Sequence, residues 1–584
     1  MKLVIVESPT KAQKIQKFLG SGTAVKASLG HVKDLPERDL GVDIESGFRP
    51  IFVFRSTKAK KVVEELKRLC RGREVYLATD PDREGFAIAT HLYQELKGSA
   101  LRLYRVEFRE ITKDHVLEQL SRAVPFEQAN HHLYEAYLAR RISDRLVGYL
   151  ISPIACRALS GRYSAGRVQS AALKLVVDRE REIRNFKPEP YWVIWIECEK
   201  GGKRFKAFFD HKGLLKDRGL AEEVLRDIAR VQTARVKEAV RKRAKKSPPP
   251  PFTTSTLQQA ASSRLGLPPE RTMSCAQRLF ELGWITYHRT DSTRLSEQYV
   301  SGLRRFIAQE FGPQYLPKSP RVYRSSKTQA DAHEAIRPTK VGRIEDLLFE
   351  LKKEGVGRDE LKLFELIWRR TLACQMADAE YDQTEVKLDC AGRPFRAKGR
   401  VLRFEGFLRA WEEKEEEEQD EPEQVFPPLV EGEVLTKARH GSDQKETKPP
   451  KRFTEASLIK EMERRGIGRP STYAPTVAIL KGLPVKGKPT RTPYVRVVKG
   501  SLVPTPEGER LVEFLERHYP WLVDCGFTKE MEERLDRIEE HGEPWRAFVQ
   551  EVVERIEGSA RQQRQRASSG PSGRVGAANT SQRP

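Results

Sequence analysis

Asp80, Asp82 and Glu84 alternate along DPDREG at the carboxyl end of the apolar run EVYLAT (74–79), and Glu7 closes a second such run, LVIV (3–6). In a near-extended stretch alternate residues share a face, so the three side chains of the triplet are expected to aim their oxygens at one point. Clustered carboxylates repel one another and raise each other's pKa unless a divalent cation compensates, and an all-oxygen donor set suits magnesium. The plainer alternative is a solvated acidic turn.

A second group lies far along the chain. In LGWITYHRTDST (282–293), Tyr287 stands two residues before Arg289, with His288 between them and Asp291 after. A phenol with an ordinary pKa near ~10 is a poor nucleophile at neutral pH, and a neighbouring cation or base that favours phenolate improves it. Arg289 is the candidate cation, and its guanidinium also suits a phosphoryl oxygen. On spacing alone, a tyrosine beside a basic residue is more often an ordinary surface or core residue.

Other familiar patterns fail. Asp80, Asp82, Glu84 and Gly85 begin like an EF-hand loop, but His91 stands where the bidentate glutamate belongs. Gly482, Gly487 and Lys488 have P-loop spacing, but Pro489 replaces the hydroxyl residue that would hold magnesium, so ATP is not expected as a cofactor. Gly466-Ile-Gly468 lacks the third glycine of a dinucleotide site and reads as a turn between helices. The seven cysteines (Cys70, Cys156, Cys198, Cys275, Cys374, Cys390, Cys525) include no C-x-x-C pair. Neither a disulfide framework nor a zinc site is expected, and reduced, buried thiols are.

The elements that must position these groups follow from periodicity. Strand, polar loop and helix occur twice in the first part of the chain, with FAIATHLYQEL (86–96) as the second helix. That pattern predicts a doubly wound α/β domain over about 1–123, with ligands at the carboxyl ends of its strands. From 127 to 184 the spacing is helical and arginine-rich, on either side of the small-residue loop GRYSAGR (161–167). Period two appears in YWVIWIE (191–197) and KRFKAFF (203–209), and returns in TEVKLDC (384–390) and RVLRFEGFL (400–408). Two sequence-distant strand sets are therefore expected to build one β domain.

Between them, RKRAKKSPPPP (241–251) reads as a basic linker and 252–371 as a helical block, with Ser255 to Gln258 as a capping box. The tract WEEKEEEEQDEPEQ (411–424) reads as a solvated loop. Helices are expected in 453–466, 471–480 and 527–541. The tail from Ser559, with five arginines and no acids, is expected to be basic and disordered.

The chain has 584 residues, enough for about four domains at ~150 each. Its 106 Lys and Arg against 83 Asp and Glu give a net charge of +23, which points to a polyanionic partner, nucleic acid ahead of a membrane surface. No run approaches the ~18 apolar residues of a membrane span, and MKLVIVES meets Glu7 before a signal-peptide core can form. A soluble protein that stays inside the cell, in the cytoplasm and not at a membrane, is expected.

VIVESPTKA (4–12), SLGHVKDLP (28–36), LATDPDREG (77–85), YSAGRVQS (163–170), PFTTSTLQQ (251–259), ITYHRTDST (285–293), HEAIRPT (333–339) and FTEASLIKEMERRGIGRPSTYA (453–474) occur in one order over residues 1–545. In these stretches the chain resembles the type IA DNA topoisomerases, particularly the bacterial topoisomerase I group. The resemblance implies a multidomain toroidal core: a Toprim α/β domain (1–123), a helical DNA-binding lobe (124–184 and 446–545), a β arch (185–249 and 372–445) and a helical lobe carrying the tyrosine (250–371). The nucleophile and the acidic cluster then belong to different lobes.

By the same resemblance, Tyr287 attacks single-stranded DNA to leave a 5′-phosphotyrosine and a free 3′-hydroxyl, beside Arg289. Glu7 matches the glutamate of proton transfer and metal binding, Lys11 the lysine facing the phosphate, and Asp80, Asp82 and Glu84 the magnesium triad. His31, Arg140, Arg141, Asp144, Arg145, Tyr149, Ser164, Ala165, Gly166, Arg167, Val168, Gln169, His333 and Thr472 fall where the family lines its single-strand groove.

His288 and Phe86 depart from the family's usual residues, and its tetracysteine zinc modules are absent. The implied enzyme is a magnesium-dependent, ATP-independent monomer that relaxes negatively supercoiled DNA by passing one strand through a break in the other. The competing readings are a decatenating topoisomerase III, a Toprim primase or nuclease, and a basic architectural DNA binder.

Overall fold

The computed structural model describes residues 2–323, 334–412, 424–484 and 492–568. It divides into two compact units, Met1–Val177 with Ser457–Pro584, and Asp178–Ala456.

In the first unit, strands Thr23–Ala27, Lys2–Val6, Glu74–Leu77 and Arg102–Arg105 run parallel in that order, and Val124–Pro125 adds an antiparallel edge. Leu3, Val4, Ile5 and Val6 are all fully buried, which is why that strand is uniformly apolar and does not alternate. Helices Pro9–Leu19 and Arg83–Leu96 follow the strands as the sequence predicts. Ser8 caps the first, accepting the Lys11 amide at 3.2 Å, and Pro9 fits the first helical turn.

The acidic triplet is not one extended stretch, contrary to expectation. Asp82 caps the second helix by accepting the Gly85 amide at 2.7 Å, so Glu84 lies in the first helical turn. Aspartate's capping strength, added to the helix that the following apolar residues favour, ends the extended backbone two residues early. Gly85 is required here, because a Cβ at this position would stand 2.1 Å from the Asp80 carbonyl oxygen.

The long helix His132–Ala158 packs against Arg83–Leu96, Cys525–His541 and Trp545–Ser568. The last of these corrects the disordered-tail expectation. Buried Phe548, Val549, Val552 and Val553 recur at helical spacing and carry the helix through Ser559 to Ser568. Ser559 accepts the Trp521 indole N–H at 3.1 Å. Residues 569–584 lie outside the described residues.

The second unit contains a closed barrel in the order Pro190–Lys200, Lys203–Phe209, Arg393–Phe404, Ala379–Cys390, Thr233–Lys246 and Val434–Glu446. The two sequence-distant strand sets thus form one sheet around Ile194, Ile196, Phe205, Val236, Val386, Leu388, Phe395 and Leu435. Residues 241–246 are strand and not linker, pairing from Arg241 opposite Thr384 to Lys246 opposite Ala379. Their polar composition conceals the strand, and cross-strand charge pairs such as Lys245–Glu380 (2.9 Å) replace apolar contacts there. The strand Val434–Glu446 escapes sequence reading for the same reason.

The same unit carries helices Thr254–Leu265, Pro269–Glu281, Glu297–Glu310, Ile344–Lys353 and Arg358–Ala373. The capping box belongs to Thr253 and Thr256 and not to Ser255 and Gln258. Thr253 is extended (φ −92°, ψ 172°), the conformation of an N-cap, and Ser255 and Gln258 are buried inside the helix packing. All seven cysteines are free thiols, five of them buried. Most of the acidic tract and of the P-loop-like segment lies outside the described residues.

Candidate active site and strand groove

Parallel pairing carries the Ala78 amide to within 2.8 Å of the Ile5 carbonyl, and so sets the ends of two central strands side by side. Glu7 Oε1 accepts the Asp80 backbone N–H at 3.0 Å. The Glu7 carboxyl is held well above the ordinary carboxylate range, first by burial and then by the neighbouring Asp80 charge, with Lys11 only partly offsetting both. Lys11, 2% exposed, forms an ion pair with Asp80. His31 Nε2 is 4.0 Å from Glu84 Oε2.

Among the described residues no three His, Cys, Asp or Glu side chains already face one point as a ligand group. The fit to a divalent cation lies in the donors themselves. Glu7 and Asp80 are crowded and desolvated, with Asp82 adding further negative charge, and a hard cation relieves that repulsion with oxygen ligands it prefers.

Arg105 is a residue that sequence reading missed. Buried at the end of its own strand, it donates to the carbonyls of Leu77 (3.1 Å), Thr79 (2.9 Å) and Asp80 (2.9 Å). It thereby fixes the backbone that carries the acidic loop. Its only sequence signal was a charge at the carboxyl end of a parallel strand.

The residues on His132–Ala158 expected in the strand groove engage neighbouring segments of the same unit. Arg141 is 2.7 Å from Asp34, Arg145 donates to the Pro36 carbonyl at 2.9 Å, and Tyr149 donates to the Glu37 carbonyl. Arg145 also lies 4.5 Å from the centre of the Tyr149 ring, and His31 stacks on Tyr137. Arg140 donates to the Ser471 hydroxyl at 3.2 Å, next to Thr472, whose own hydroxyl accepts the Arg469 amide at 2.7 Å.

In the SAGRVQ segment, hydrogen bonds fold the backbone onto its surroundings. The Ser164 amide donates to the Tyr494 hydroxyl (2.6 Å), Ala165 to Ser152 (2.9 Å) and Gly166 to Ser170 (3.3 Å), while Gln169 returns to the Ser164 carbonyl (2.8 Å). Val168 is buried. Arg167 is placed differently from the other arginines: its fully buried guanidinium is shared between Asp144 (3.2 Å) and Glu532 (3.0 Å). It is in position to brace the segment and not to present charge. His333 lies outside the described residues. Gly466 and Gly468 both take positive φ, as the expected turn between helices requires.

Tyr287 and Arg289 belong to the second unit. Tyr287 is 3% exposed and packs edge-on against Phe280, with ring centres 5.2 Å apart. Two supports hold its loop. Thr286 exchanges hydrogen bonds with the Ala335–Arg337 backbone, its hydroxyl donating to Ala335 at 2.7 Å. Thr254, in the first turn of its helix, bonds the backbone of His288 and Thr290. The sequence flagged both supporting segments but not the threonines that do the holding.

The chain is similar to known proteins over most of its length. A family profile described as DNA topoisomerase matches residues 128–550, and the Toprim domain matches residues 2–111. The DNA topoisomerase 1 of Aquifex aeolicus (strain VF5) is 41% identical over 567 residues, covering 96% of this chain and 99% of that relative. The structure of full-length topoisomerase I from Thermotoga maritima superposes with a TM-score of 0.83 at 36% identity, covering 95% of this chain and 90% of that one.

Proposed function

Since the chain belongs to the type IA DNA topoisomerases, in the bacterial topoisomerase I group, we propose that it relaxes negatively supercoiled DNA by reversible cleavage of one strand, with magnesium and without ATP. The observation that carries the reading is the junction of two parallel strands that gathers Glu7, Asp80 and Lys11 beside the Asp82 cap.

In the proposed chemistry the Tyr287 oxygen attacks a backbone phosphorus. The phenol gives up its proton to solvent as the tyrosyl O–P bond forms, the P–O3′ bond breaks, and the departing 3′ oxygen takes a proton. Glu7 suits the delivery of that proton, because burial and the neighbouring Asp80 charge favour its protonated form. Lys11 and Arg289 offer positive charge to the phosphoryl oxygens. Glu7, Asp80, Asp82 and Glu84 are the residues that would hold Mg²⁺, which when bound supplies charge neutralisation beside the phosphate. Resealing reverses the exchange: the 3′ oxygen attacks the phosphotyrosine and Tyr287 leaves. The ester keeps the energy of the broken bond, so no nucleotide is consumed.

On this reading the lobes follow the boundaries expected from sequence except that the helical lobe extends to Ser568, the strand groove is lined by Arg140, Arg141 and Arg145 and by the SAGRVQ segment braced by Arg167, and the protein acts as a monomer at the nucleoid. The test is relaxation of a supercoiled plasmid with and without Mg²⁺, ATP omitted, alongside adduct formation on a labelled single strand. Relaxation that needs Mg²⁺ alone and an adduct lost in Tyr287→Phe are expected. A requirement for ATP, or an adduct surviving in that variant, would overturn the proposal.

A further inference from the structure

Arg83 stands in sequence between two carboxylates of the acidic loop, Asp82 and Glu84, yet its guanidinium is turned onto the Cys525–His541 helix. There its Nη2 donates to Asp536 Oδ1 at 2.8 Å, and its Nε pairs with Glu539. Arg469, three residues before Thr472, donates from Nη2 to Asp536 Oδ2 at 2.6 Å. One carboxylate therefore bridges an arginine of the acidic loop and an arginine of the turn that carries Thr472. Glu532, one turn earlier on the same helix face, takes Arg167.

The bridge is mostly sheltered from solvent: the side chains of Arg83, Asp536 and Arg469 are 13%, 15% and 10% exposed. In such a setting charges act on their neighbours with little screening. An arginine inside a cation-binding loop opposes the cation, and Asp536 and Glu539 offset it. An arginine beside a groove for phosphates attracts them, and the same Asp536 moderates it.

We propose that Asp536 is a positioning residue: a shared counter-charge that holds Arg83 at the acidic loop and Arg469 at the Thr472 turn, strengthening Mg²⁺ binding while restraining strand binding. The inference rests on the functional reading above and adds a residue to which that reading assigns no role. Its signature is a change of opposite sign at the two sites. A residue that only stabilised the fold would weaken both together.

The experiment compares wild type with Asp536→Asn in the full chain. Mg²⁺ alone is titrated by calorimetry, and a labelled oligothymidylate is titrated by fluorescence anisotropy in EDTA. In the variant the Mg²⁺ dissociation constant should rise about 5- to 10-fold, while oligonucleotide affinity tightens. Asp536→Glu should restore much of the Mg²⁺ affinity. Weakening of both ligands together, or unchanged affinity for either of them, would overturn the inference.

If Asp536→Asn does not fold, Glu539→Gln serves as the second variant, since Glu539 pairs with Arg83 and not with Arg469. It should weaken Mg²⁺ and leave the oligonucleotide unaffected, and unchanged Mg²⁺ affinity there would also refute the role. Neither titration depends on strand cleavage, so an adduct that survives Tyr287→Phe would sink the functional reading without being mistaken for failure of this one.

Discussion

Thr254 holds Thr290 at both backbone groups: the Thr254 hydroxyl accepts the Thr290 amide at 2.9 Å, and the Thr254 amide donates to the Thr290 carbonyl at 2.8 Å. The same hydroxyl donates to the His288 carbonyl at 2.9 Å. A fully buried threonine thus fixes the backbone immediately after Tyr287.

Thr254→Val keeps the shape of that side chain and deletes its hydrogen bonds, stranding a buried amide and carbonyl. A stability loss of about 1–3 kcal/mol is expected. Because a small misplacement of a reacting group is costly, the cleavage rate should fall by about 10-fold or more, with oligonucleotide affinity little changed. Single-turnover cleavage and anisotropy check it, and equal loss in both would contradict a role in placing the tyrosine.

Asp82 has two separable duties, capping a helix and contributing charge to the acidic loop. Asparagine caps as well as aspartate does, so Asp82→Asn should keep the melting temperature while weakening Mg²⁺ binding. Asp82→Ala should lose both, with a stability cost of about 1 kcal/mol. Thermal melts beside Mg²⁺ titrations resolve the pair, and normal Mg²⁺ affinity in Asp82→Asn would remove Asp82 from the residues proposed to hold the cation.

Glu532 is fully buried, and the surrounding arginines, Arg167 foremost, outweigh desolvation and depress its carboxyl to about 2 from an ordinary 4.5. The folded pKa is the lower one, so this stabilisation is complete above about pH 4.5 and is lost as pH falls toward 2. It corresponds to about 3 kcal/mol. Glu532→Gln should be strongly destabilised near neutrality, because the Arg167 charge stays buried, and the gap to wild type should narrow between pH 4.5 and 2. Denaturant melts across that range measure it; a gap independent of pH would refute the depressed carboxyl.

Ending the chain after Ser568 removes Arg574 and Arg583 and leaves the Ser559–Trp521 contact in place. Cleavage of a short single strand should be unaffected, and plasmid relaxation should fall as salt rises, since fewer phosphate contacts remain. A salt series on both proteins checks this, and equal relaxation throughout would make those residues a passive extension. Ending after Gly558 should also lower the melting temperature.

The sequence by itself determined the kind of sheet, because a strand buried on both faces must be apolar throughout, as LVIV is. It also determined which residue types could do chemistry, since carboxylates at strand ends and a tyrosine beside an arginine are visible in one dimension. Local competition hid the rest. Whether DPDREG stays extended or starts a helix depends on a cap gained at Asp82 and a close approach at Gly85, and whether 241–246 is linker or strand depends on a partner some 140 residues away. The role of Arg83 was the least legible of all. Its charge suggests a ligand for phosphate or a surface residue, and only the return of the chain at Asp536, 453 residues later, makes it part of a bridge. Long-range ion pairs of this kind carry no periodicity, so tertiary structure alone assigns them.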